Sequence, residues 1–207
     1  MVRSLLLLVA FAMISIATRP VHAQQIFLDF NDDGSCDYQD IPAVSVIDTV
    51  DVWIDTSTNL DGSPAVCGTG EELTIAAYEV ILRTEAGTSL LSWTNSRPEF
   101  AVEEQKTIQA NVAWVGYSSF GGSPLAPGRY LLGRAGYQHT MGCPFFAVVP
   151  NQPSLPGAET KFSSQCPGSQ QDYFIRFGSD FYGSCGSQLI CDGVESTTWG
   201  HIKDMYR

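Results

Sequence analysis

The sequence predicts an all-β chain folded as an antiparallel β-sandwich. Three observations carry that expectation. Short runs rich in β-branched and aromatic residues recur, several with apolar and polar positions alternating. Clusters of Gly, Pro, Asn and Asp separate them, the strongest being Gly121-Gly122-Ser123-Pro124-Leu125-Ala126-Pro127-Gly128. No helical periodicity of useful length occurs before the last residues, and no linker or internal repeat divides the chain.

The first segment is read as an address, outside the fold. Met1-Val2-Arg3 precedes an apolar run from Leu5 to Ile16, and Val21-His22-Ala23 places small residues three and one before Gln24. That is the layout of a secretory signal peptide over residues 1–23, with a mature protein starting at Gln24 outside the cytoplasm: extracellular, periplasmic or at the cell surface. No run reaches the length of a spanning helix. The chain has 207 residues and a formal net charge of −11, and losing Arg3 and Arg19 makes it more negative. Such acidity disfavours nucleic acid and anionic membranes as partners and suits cations. Residues 24–195 are expected to form one domain, with 196–207 as a tail.

Gln24 to Phe30 reads as the first strand and runs into Asp29-Phe30-Asn31-Asp32-Asp33-Gly34-Ser35-Cys36-Asp37-Tyr38-Gln39-Asp40. Oxygen-bearing side chains stand at the first, third, fifth, ninth and twelfth places and glycine at the sixth. This is the spacing of a calcium loop that winds once around a hard cation. Asp29, Asn31 and Asp33 are the first candidate ligands, Ser35 offers its carbonyl, Asp37 a direct or water-bridged oxygen, and Asp40 the closing carboxylate. Carboxylates packed so closely repel one another, and a divalent cation such as Ca2+ is the simplest relief. The competing reading is a plain turn, because Asn, Asp and Gly also favour turns. Pro42 interrupts any following helix, so the loop is expected as a clip on another fold rather than half of a paired EF-hand domain.

The next strand is Val44 to Asp55, where Val50, Val52 and Ile54 alternate with Asp51, Trp53 and Asp55. In the connection from Thr56 to Gly70, oxygens alternate at Asp55, Ser57, Asn59 and Asp61. They suit Asx turns first and a second cation site less well. Further strands are expected at Leu73–Thr84, with Ala76, Tyr78, Val80 and Leu82 on one face, and at Ser89–Asn95. Others follow at Thr107–Ser119, with Val112, Trp114 and Gly116 in line, and at Arg129–Tyr137, Phe145–Val149 and Tyr173–Phe177. The six cysteines, Cys36, Cys67, Cys143, Cys166, Cys185 and Cys191, read as three disulfides of an oxidising compartment. Fifteen pairings are open to six cysteines. The preferred set is Cys36–Cys67, Cys143–Cys166 and Cys185–Cys191, each closing a loop rich in Gly, Pro and polar residues.

Two resemblances attach to these stretches. The loop at 29–40 resembles the dockerin type, which closes on Asp, and the likeness covers the loop alone. Leu73-Thr74-Ile75-Ala76-Ala77-Tyr78-Glu79-Val80-Ile81-Leu82 resembles an early strand of cohesin-like modules. Leu125-Ala126-Pro127-Gly128-Arg129-Tyr130-Leu131-Leu132-Gly133 resembles the strand entry of similar secreted bacterial sandwiches. Together they imply a jelly-roll sandwich over about residues 44–150 with a non-catalytic extracellular role. They identify no dockerin-binding interface here. The ending Thr198 to Arg207 resembles a short terminal pattern of some secreted bacterial proteins. With Trp199, Ile202 and Tyr206 three and four apart, it reads as a short helix packed on the sandwich edge or as a sorting peptide.

Reactive chemistry is thin. The mature part has His139 and His201 as its histidines, and H-E-x-x-H, G-x-S-x-G and phosphate-loop patterns are absent from the sequence. Glu79, Glu99, Glu103 and Glu104 could pair as glycosidase acids, a minority reading in a chain this acidic. Trp53, Trp93, Trp114, Tyr117 and Tyr137 are expected mainly in the core. Trp53 is the candidate for an exposed sugar-stacking ring, because it shares its face with Asp51 and Asp55. The sequence thus points to a secreted, calcium-binding, non-enzymatic module whose partner is another extracellular protein or a polysaccharide. Carbohydrate binding through exposed aromatics is the alternative, and a glycoside hydrolase follows behind it.

Overall fold

The structure, a computed structural model, describes residues 25–35, 47–58, 63–67, 70–85, 87–119, 122–141, 144–166 and 169–174. The described strands are β1 (Gln25–Asp29), β2 (Ile47–Asp55), β3 (Ala77–Thr84), β4 (Thr88–Asn95), β5 (Val102–Gln109), β6 (Val112–Ser118), β7 (Arg129–His139), β8 (Phe146–Val148), β9 (Lys161–Cys166) and β10 (Ser169–Phe174). No helix occurs among the described residues, and none there is long and apolar enough to cross a membrane. The signal-peptide segment, the tail with its expected helix, and Asp37 and Asp40 of the loop lie outside the described residues.

Two antiparallel sheets carry these strands. One is four-stranded in the order β1-β2-β7-β4. The other is six-stranded in the order β10-β9-β3-β6-β5, with β8 beside β3. β9 takes Ala77–Glu79 of β3 and β8 takes Leu82–Thr84, so one strand edge serves two partners. A single core lies between the sheets. Ile26, Leu28, Val50, Val52, Ile54, Leu132 and Tyr137 enter it from the first, and Tyr78, Val80, Leu82, Val115, Phe146 and Phe162 from the second. The arrangement is β-sandwich-like, and its cause is period-two patterning, since alternate side chains of a strand point to opposite faces. Val50, Val52 and Ile54 are fully buried, as the alternation in β2 predicts.

Three departures from the sequence reading have physical causes. Thr107–Ser119 is not one strand. β5 and β6 form a hairpin across Ala110-Asn111, a turn without the glycine that usually marks such turns. β5 is an edge strand, polar on both faces with Glu103, Glu104 and Lys106, so it shows no buried alternation. β9 was hidden because Ser164 takes an inward place between Phe162 and Cys166 and is fully buried there.

The third departure is the disulfide. Cys67 bonds to Cys166 across a sequence separation of 99, which excludes both Cys36–Cys67 and Cys143–Cys166. Short-loop closure is a poor guide where sheet adjacency sets the partner. The Ser163 carbonyl of β9 accepts from Ala76 N–H, and Leu73 N–H bonds back to Ala65, which carries the Cys67 segment to the end of β9. Cys36, Cys143, Cys185 and Cys191 lie outside the described residues.

Replacing both Cys67 and Cys166 by Ser should lower unfolding stability by about 4–5 kcal/mol, the chain-entropy scale for a loop of that length. Denaturant melts of the oxidised and doubly substituted proteins check this. Gly133→Ala should also destabilise, by about 1–3 kcal/mol of overpacking. A Cβ there would stand 2.4 Å from Trp93 Cζ2 and 2.7 Å from the Thr94 carbonyl oxygen. A melting curve matching the unsubstituted protein would contradict that packing.

Candidate functional site

The loop begins where β1 leaves the four-stranded sheet. Asp32 and Gly34 both adopt left-handed backbone, with φ of 60° and 71°. Asp tolerates that region because its short side chain bonds locally, and Gly has no Cβ to clash. Between them the chain turns so that alternate side chains fold back on its own N–H groups. Asp29 Oδ1 accepts from Asn31 N–H at 3.0 Å, and Asp29 Oδ2 from Gly34 N–H at 2.7 Å. Asn31 Oδ1 accepts from Asp33 N–H at 3.2 Å, while Asn31 Nδ2 donates to Asp33 Oδ2 at 3.1 Å. Asp33 Oδ1 accepts from both the N–H and the hydroxyl of Ser35. Those Ser35 bonds hold the Asp33 carboxyl below its ordinary range.

The first, third and fifth places of the expected loop are therefore joined by hydrogen bonds within one turn, with Ser35 next. Their donor set is all oxygen, which suits a hard cation. Accepting one N–H does not exhaust a carboxylate oxygen, because each has a second lone pair to offer. Even so, no group of three His, Cys, Asp or Glu side chains among the described residues is arranged to hold a metal ion. The described half of the loop does not make a complete cation site.

Beneath the loop lies a charged floor. Asp29, itself fully buried, stands opposite Asp51 of β2, and Asp51 stands opposite Arg134 of β7. Arg134 grips the buried Asp51 carboxylate through Nε and Nη2, and its Nη2 also reaches Asp32 Oδ1 at 2.8 Å. Hydrogen bonding to Asp51, with the charges of Asp51, Asp32 and Asp29, pushes the Arg134 guanidinium above its ordinary range. Partial desolvation against the sheet, with Asp51 and Asp29 nearby, pushes the largely exposed Asp32 up despite the pull of Arg134. A second arginine, Arg129, bonds Asp55 at 3.1 Å and the Gly34 carbonyl at 3.4 Å, and lies over the Phe27 ring.

Asp32, Asp51, Arg129 and Arg134 were not singled out from the sequence. Asp51 and Asp55 are four apart and share a face of β2. Arg129 and Arg134 are five apart, which in a regular strand puts them on opposite faces. The register shift between Val52 and Trp53 resolves this. Val52 pairs with Gly133 and Trp53 with Leu131, so Leu132 is the extra residue of a bulge and both arginines meet the aspartates.

Trp53 lies on the face of Asp51 and Asp55, as expected. Its ring is half-buried and stacks on Phe27 at 6.2 Å. Gly34 lies over it, close enough that a Cβ there would touch Cζ2 and Cη2 at 3.3 Å. Trp93 and Tyr137 are core residues, and Trp114 packs on the outer face of the six-stranded sheet.

The four glutamates each have their own donors. Glu79 accepts from Trp114 Nε1 at 3.1 Å and lies 3.7 Å from Lys161. Glu99 pairs with Arg97, Glu103 accepts from the Tyr117 hydroxyl, and Glu104 accepts from Ser118. At the proposed second cation stretch, Asp55 Oδ1 accepts from Ser57 N–H and Oγ, the Asx-turn geometry, while Asn59 and Asp61 lie outside the described residues. His139 is buried with Nδ1 2.8 Å from Thr88 Oγ1. No family model matches the chain, and neither does any curated protein.

Burial raises the Asp55 carboxyl, but the Ser57 bonds and Arg129 outweigh it and hold the group below its ordinary 3.8. A depressed carboxyl contributes stability above 3.8 that is lost as pH falls through the lower folded value. Asp55→Asn should therefore be less stable than the unsubstituted protein at pH 6, with the gap closing below about pH 4. Melting temperatures of both proteins from pH 6 to pH 2.5 measure the gap; a constant difference would contradict the assignment.

Proposed function

We propose that the chain is a secreted, calcium-stabilised β-sandwich serving as a non-catalytic binding or assembly module at the cell surface. The observation that carries the calcium part is the turn at 29–35, where Asp29, Asn31 and Asp33 fall at alternate places and their side-chain oxygens gather on the N–H groups of one turn. Asp37 and Asp40 complete the ligand set in this reading, with Ser35 giving its carbonyl. A bound Ca2+ would supply charge neutralisation and a fixed loop geometry. This chain's own residues do the rest: Asp29 anchors the loop to β1, and Gly34 seats it on Trp53. The finer fold assignment, a cohesin-like jelly roll, rests on the strand motifs quoted above. The partner it implies is another extracellular protein or a polysaccharide engaged outside the cell, following export directed by residues 1–23.

Calorimetric titration of the chain from Gln24 with CaCl2 tests the proposal. Binding at one site is expected, with melting temperature higher in excess calcium than in chelator, as mass action requires. Asp33→Ala should lose most of the heat. No heat together with identical melting in calcium and chelator would sink the calcium reading.

A further inference from the structure

We infer that Arg134 is the built-in counter-ion that docks the loop on the four-stranded sheet, and that it opposes any divalent cation taken up there. Three aspartates share its surroundings from three segments: Asp51 on β2, Asp32 in the loop and Asp29 at the end of β1. Asp51 is held bidentately, and one of the same nitrogens, Nη2, continues to Asp32 at 2.8 Å. The guanidinium thus bridges a buried sheet carboxylate to an exposed loop carboxylate, fixing the loop with a planar fork suited to paired oxygens. Asp32 holds the fourth place of the loop, outside the proposed ligand set, so the bridge leaves Asp29, Asn31 and Asp33 to their own bonds. In the docked loop Gly34 lies against the Trp53 ring.

The antagonism follows from charge. A guanidinium within reach of Asp29, Asp32 and Asp51 reduces the negative potential that would draw in a cation, and like charges sharing counter-charges are negatively coupled. This second half rests on the calcium reading above; the docking half does not.

The test uses Asp32→Gly, which removes the loop limb of the bridge at a position whose φ of 60° glycine accepts and leaves Asp51 paired, and Arg134→Gln, which cuts both. In chelator, either variant should show red-shifted tryptophan emission as Gly34 lifts from Trp53, with cleavage by a nonspecific protease at 30–35 at least several-fold faster than in the unsubstituted chain. Unchanged emission and cleavage in Asp32→Gly, the milder variant, would overturn the docking role. In calorimetry with CaCl2, Arg134→Gln should bind about tenfold tighter than the unsubstituted chain, the scale of one like charge removed within a Debye length. Equal or weaker binding would overturn the antagonism. No heat from either protein, with the emission change intact, would remove the calcium reading and leave the docking role standing.

Discussion

The alternation along β2 is the constraint on which both the core and the loop depend. One face of the strand, Val50, Val52 and Ile54, is fully buried between the sheets. The other carries Asp51, Trp53 and Asp55, and those three residues form the ground on which the loop is set. Asp51 holds Arg134, Trp53 lies under Gly34, and Asp55 holds Arg129. A register slip of one residue would exchange these faces and put carboxylates into the core, at a cost of several kcal/mol for each unpaired buried charge. The hydrophobic pattern that folds the sheet therefore also fixes where the acidic groups can be.

How those groups are neutralised corrects a simple electrostatic expectation. Repulsion among the loop carboxylates suggests a metal when the sequence is read locally. In the folded chain Arg134 answers part of that repulsion, and it comes from more than 100 residues away in sequence, with Asp32 and Arg134 separated by 102. Asp33 is settled differently, by the hydroxyl and N–H of Ser35. Local spacing shows which oxygens can gather; it says nothing of a cation delivered by a neighbouring strand.

The parts of the fold legible in the sequence are those where one residue's environment follows from its immediate neighbours. β1, β2, β4, β7 and β8 lie within a few residues of the expected runs because β-branched and aromatic residues alternate or cluster there. β9 was illegible because Ser164 is polar yet inward, and the β5–β6 turn because Asn111 is its only turn-favouring residue, with no glycine beside it. The disulfide and the two arginines failed for a shared reason. Cys166 finds Cys67, and Arg134 finds Asp51, through strand order and a one-residue bulge, neither of which has a local signature. In the candidate site, the loop's inner side chains were readable and its floor was not.

The charge count at the loop shows how much acidity Arg134 leaves unanswered among the described residues. Asp29, Asp32 and Asp51 share the one guanidinium of Arg134, Asp33 has only the neutral donors of Asn31 and Ser35, and Arg129 is engaged by Asp55. Local charge therefore stays negative after the ion pairs form, in a chain already at −11. A guanidinium is broad and donates along fixed directions, so it can bridge Asp51 and Asp32 from the side of the sheet. It cannot also enter the turn and face the oxygens of Asp29, Asn31 and Asp33. Those oxygens are instead engaged by the loop's own N–H groups, which neutralise no net charge. The arginine thus answers only one side of the excess, and the acidity of the described loop exceeds what docking alone requires.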